Sequence, residues 1–144
     1  MMHDRPTTDE LLRAVELLLD EQFVPSLDGA RKYNARVAAN VIRIVRRELQ
    51  NEERQLDAEW RGLDLVLGPA QRPPSLASMR QQLIERNSEL SDRIRAGDAD
   101  SGRFRDLVLA HVRDTVHAKL EVSDPGWLES DVPSPRRESS PPGE

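Results

Sequence analysis

Between Ala35 and Val45 only three side chains are polar: Arg36, Asn40 and Arg43, spaced four and three residues apart. At about 100° per residue this spacing puts them on one narrow helical stripe, which Lys32 and Arg47 continue. Ala35, Val37, Ala38, Ala39, Val41, Ile42, Ile44 and Val45 fill the rest. A helix so apolar around its circumference needs covering on several sides. The fold predicted is therefore all-α, a compact bundle of four to five helices around a central helix at about 28–49, followed by a disordered C-terminal tail.

Composition agrees with that class. Aromatic residues make up only 3% of the chain, so Leu, Val, Ile and Ala must build the core. That suits a helix bundle and suits a β-sandwich poorly. A length of 144 residues fits one domain, predicted at 4–128. Residues 129–144 are rich in Pro and Ser, with little to bury, and are predicted to be disordered. The net charge of −5 lacks the basic footprint of a nucleic-acid binder, so no nucleic-acid partner is expected. The absence of cysteine removes disulfides, thiolate metal sites and cysteine nucleophiles, and fits a reducing compartment. The N-terminus shows no apolar signal region, and apolar runs fall far short of the roughly 20 residues of a membrane span. No membrane association is expected, and a cytoplasmic location is.

The order of elements follows from caps and breakers. Thr7 with Glu10 forms a capping box, with Thr8 an equal candidate cap. It opens a helix over about 8–23, marked by Leu11, Leu12, Val15, Leu18, Leu19 and Phe23 and stopped by Pro25. Glu10, Glu16, Asp20 and Glu21 make the exposed side of that helix acidic. Asp28 is the predicted N-cap of the central helix, which the short connection folds back antiparallel to the first. Whether that helix breaks near Asn51 is open: Leu56, Trp60, Leu63 and Leu67 form a second stripe, and only Gly62 interrupts it. Gly68 to Pro74 is a linker. Ser75 caps a helix carrying Leu76, Met79, Leu83, Leu90 and Ile94, polar enough over 85–89 to fray or kink, and ended at Gly97. A last helix over 103–120 presents Phe104, Leu107, Val108, His111, Val112 and Val116. Trp127 and Leu128 then dock back onto the bundle.

Few residues carry candidate chemistry. Arg36, Asn40, Arg43 and Arg47 are candidate contacts for an anion or a partner, since the planar guanidinium fork meets carboxylate or phosphate oxygens in pairs. The plainer reading for Lys32, Arg43 and Arg47 is a solvated face, or pairing with the acidic first helix. Arg36 and Asn40 lie in the most apolar part of the chain, where an unpaired polar group is costly, so specific bonds are expected of them. His111 is a candidate buried polar group on an apolar face; His3 and His117 lie elsewhere. Asp98, Asp100 and Gly102 open like a calcium loop, but Leu109 stands where the twelfth-position carboxylate is needed. No catalytic set, metal site or cofactor is predicted.

Several stretches resemble one family: Asp4-Arg5-Pro6-Thr7 with Glu10-Leu11-Leu12, Pro25 with Leu27-Asp28-Gly29, Arg36-Val37-Ala38-Ala39-Asn40, Glu48-Leu49, and Lys119-Leu120 on to Pro125-Gly126-Trp127-Leu128. They are similar to small helical bacterial proteins encoded beside, or fused to, aminoglycoside-phosphotransferase-like kinases and acyl-CoA dehydrogenases. The resemblance covers about 4–50 and 90–128. It implies a non-catalytic accessory subunit of such a kinase, of the kind that phosphorylates a 4-hydroxyacyl-CoA, with the kinase or an acyl-CoA dehydrogenase as partner. It carries over no catalytic residue, and this chain lacks the motif carboxylates a kinase needs. Two other readings stay open: a small-ligand binder or enzyme with a pocket of Arg36, Asn40 and His111, and a homodimeric helical module joined through the stripe around Trp60.

Overall fold

A computed structural model describes residues 5–130; the tail from 131 onward and the first four residues lie outside that range. The described residues are helical throughout, with short connections and no strand. None of their helices is long and apolar enough to cross a membrane.

Helix α1 spans Thr8–Leu18. Of the two candidate caps Thr7 is the one used: the Thr7 hydroxyl accepts from the Glu10 amide at 3.2 Å, and the Glu10 carboxylate accepts from the Thr7 amide at 2.7 Å. Pro25 does not stop the run where the sequence suggests. Leu19–Phe23 loosens into a π-helix, and Val24–Ser26 adds one more helical turn, with Pro25 in its opening positions. A proline has no amide hydrogen to donate, and its ring crowds the carbonyl four residues back. The wider π-helical turn before it, closed by the Val24 amide on the Leu19 carbonyl, lets the chain carry it without a break.

Helix α2 runs unbroken over Gly29–Leu67, 39 residues and about 58 Å. The two stripes read from the sequence therefore belong to one helix. Asn51 does not cap a new one; its amide donates to the Arg47 carbonyl one turn back, at 2.7 Å. Asp28 occupies the N-cap position through its backbone alone, and Gly29 supplies the positive φ of +55° at the entry.

The linker after Gly68 is tied to the helices on either side. Arg86 donates to the Gly68 carbonyl and Asp64 accepts from the Ala70 amide, while Arg72 pairs with Asp57. Helix α3, Leu76–Arg95, starts at a reciprocal Ser75–Ser78 cap. Its polar middle stays within one continuous helix, where Arg86 and Asn87 are tied to α2. Arg86 bonds Asp64 at 2.8 Å and lies 4.6 Å over the Trp60 ring, and Asn87 bonds Glu59 at 2.8 Å. Helix α4, Gly102–Ser123, returns antiparallel to α2, and α5, Pro125–Ser130, ends the described chain.

The core sits on the second half of α2, not the first. Trp60, Leu63 and Val66 pack with Met79, Leu83 and Leu90 of α3 and Val108 of α4. Of the 28–49 stretch only Ala39 is buried among the apolar residues. Val37, Val41, Val45 and Leu49 are exposed, which corrects the prediction of cover on several sides. Trp60, 3% exposed, is sealed inside one chain and unavailable to join two. On α4, Val112 and Val116 are exposed as well, and Trp127 is 58% exposed where a docked anchor is predicted.

Candidate functional site

The polar stripe of α2 divides by its neighbours. Arg43 bonds Glu16 at 2.9 Å and also Asp20. Arg46, which the sequence reading passes over, bonds Asp9 at 2.8 Å and Glu16 at 2.6 Å. Of the acidic residues expected on the exposed side, Glu16 and Asp20 thus turn toward α2, whereas Glu10 closes the Thr7 cap and Glu21 stays exposed. The hydrogen bond from Arg46 holds the Asp9 carboxyl below its ordinary pKa, and the carboxylates raise both guanidinium pKa values. A signal was present: Glu16 and Asp20, one turn apart, face two arginines three apart on a helix that must run antiparallel. Arg47 instead donates to the Val122 carbonyl at 2.7 Å, pinning the end of α4.

Arg36 and Asn40 take the opposite course. Both side chains are exposed, with no hydrogen bond or ion pair among the described residues. The physical reason is the open flank of α2: with no cover there, a polar side chain needs only water. The pocket that would unite them with His111 is not formed. His111 packs against Gly62, 22 residues or about 33 Å along α2 from Asn40.

His111 is 7% exposed and lines a cleft of about 340 Å³ between α2, α3 and α4, with Glu59, Arg80, Asp114, Thr115 and Lys119 around it. Burial pushes its pKa down; Glu59 and Asp114 oppose that, and Arg86 adds to it. Gly62 is there for the ring, since any Cβ at that position would overlap Nδ1. No group of three metal-binding side chains comes together among the described residues.

The larger feature is an apolar face. Val37, Val41, Val45 and Leu49 recur every four residues on α2, a stripe about 18 Å long, with Ala38 beside it. Leu11, Val15 and Leu18 of α1 are exposed too. Asp9 and Glu16 of α1, with Asp20 in the π-helical turn that follows, reach Arg43 and Arg46; Leu11, Val15 and Leu18 lie off that carboxylate row and stay exposed. From Glu52 onward the stripe's side of α2 is taken by α3, through Glu52–Arg80 and Glu59–Asn87. The valines are the uncovered continuation of that track. A second exposed apolar group, Leu109, Val112 and Val116, lies on α4.

A family model described as a domain of unknown function, DUF6285, matches residues 25–127. No curated protein and no solved structure matches the chain.

Proposed function

The chain belongs to the DUF6285 family, and from that footing we propose that it is a non-catalytic accessory subunit of an aminoglycoside-phosphotransferase-like kinase in acyl-CoA metabolism. The resemblance in the motifs from Arg36 to Asn40 and from Pro125 to Leu128 supplies the partner class. The observation that carries a binding role is the exposed apolar row Leu109, Val112 and Val116 on α4. Isolated exposed apolar side chains are ordinary, but an aligned row on one helix marks a contact surface.

Co-expression with the kinase encoded beside this chain, followed by pull-down, tests the proposal. The pair should co-purify, and Val112→Asp with Val116→Asp should weaken capture at least about tenfold, since a charge placed in an apolar contact is costly. A kinase that neither binds the protein nor changes its activity in the protein's presence would sink the idea.

A further inference from the structure

We infer that the apolar face of α1 and α2 is closed by a second copy of this chain, two α1–α2 hairpins meeting about a two-fold axis near Val41 to form an antiparallel four-helix bundle. This stands apart from the accessory-subunit proposal, which uses the α4 row.

Three observations lead there. The first is area. The chain exposes 11186 Å², against roughly 7,500 Å² for a compact monomer of 16.3 kDa. Allotting the residues outside the described range the full accessibility of an unfolded chain still leaves roughly 1,400 Å² above compactness. A stable two-chain contact removes about 800 Å² per partner, and the exposed apolar side chains of α1 and α2 hold part of that excess.

The second is shape. An antiparallel helix pair with an apolar stripe along one edge is half of an up-and-down four-helix bundle. Here α1 contributes Leu11, Val15 and Leu18, and α2 contributes Val37, Val41, Val45 and Leu49. A two-fold axis makes the contact self-complementary and closed. With the axis near Val41, Val37 of one copy lies against Val45 of the other, and Val41 meets itself.

The third is charge. Arg31 stands at the start of the stripe and Glu48 at its end, and neither forms an ion pair among the described residues. An antiparallel copy brings each Arg31 end beside the other chain's Glu48 end, within the reach of unscreened attraction. A parallel copy would set like charges together.

Sedimentation velocity on the full chain at micromolar concentration tests this. The expected mass is twice 16.3 kDa, and Val41→Asp with Val45→Asp should halve it while leaving helical circular dichroism unchanged. Since the natural chain has no cysteine, a second readout does not depend on those variants folding. Val41→Cys should cross-link two chains on mild oxidation, and Val112→Cys should not. Glu48→Lys should weaken the dimer, and adding Arg31→Glu should restore it. A monomeric wild-type chain, a dimer indifferent to the Val41 and Val45 changes, or a Val41→Cys chain that stays uncross-linked would each overturn the inference. A monomer whose kinase capture is lost with Val41→Asp would assign this face to the kinase instead, keeping the accessory role. A dimer that captures no kinase would do the reverse.

Discussion

Replacing Gly62 by alanine sets two residue-scale effects against each other. In a helix interior alanine is favoured over glycine by about 1 kcal/mol. Here the added Cβ would overlap the His111 ring, and overpacking of this kind costs about 1–3 kcal/mol. Gly62→Ala should therefore destabilise on balance, by about 1 kcal/mol in urea unfolding. With His111→Ala already in place the same change should become stabilising, and that reversal of sign separates packing from propensity. His111 also makes a pH prediction. Its folded pKa lies below the unfolded value near 6.5 because burial disfavours the charged ring. At neutral pH both states are neutral and nothing is gained or lost. As pH falls below about 6.5 the unfolded chain takes up the proton first, so stability should decline there, before the carboxylates titrate. His111→Gln should flatten that part of the stability–pH curve, and a curve unchanged by the substitution would contradict the assignment.

The elements differ in what holds them. Helix α1 contributes no residue to the buried cluster and is held through the arginine latch of Arg43 and Arg46. A chain beginning at Asp28 should accordingly keep cooperative unfolding around Trp60, followed by its fluorescence, whereas Leu63→Ala should cost about 2–5 kcal/mol. Arg46→Met should speed hydrogen exchange in α1 while leaving α3 and α4 unchanged. Asp9 titrates below its unfolded value, so its share of the latch is present above about pH 3.8 and is lost on further acidification. Much at this scale was legible in the sequence. The Thr7–Glu10 box, the Ser75 cap and the Leu56–Leu67 stripe each depend on neighbours within a turn or two, and each is found. The misread parts depend on distant partners. An apolar circumference at 35–45 looks the same whether a neighbour helix belongs to this chain or to another, so the open valine face was invisible. The expectation of specific bonds for Arg36 and Asn40 fails for the same reason, since on an open flank water satisfies them. Arg46 was missed because its role lies across a hairpin, 30 and 37 residues from its carboxylates.

At the scale of the whole molecule the long helix α2 joins two unlike ends. Its second half is packed by α3 and α4 around Trp60, Leu63 and Val66. Its first half is covered by α1 on one side and by the last turns of α4 near Arg47, and it leaves the valine stripe open. Opening free energies follow buried apolar contact, so a single helix with this asymmetry should unfold from one end. In dilute solution, where association is minimal, amides at 36–46 should exchange at least about tenfold faster than those at 60–66, although all lie in unbroken helix. Raising the protein concentration through the dimer range should slow exchange in the first group and in α1, because a partner that binds only the folded face adds its binding free energy to the opening cost there. The group around Trp60 should not respond until the dimer's contribution exceeds the difference between the two ends. Equal protection at both ends in dilute solution would show that α2 carries its stability along its own length, and that the open valine face costs the fold nothing.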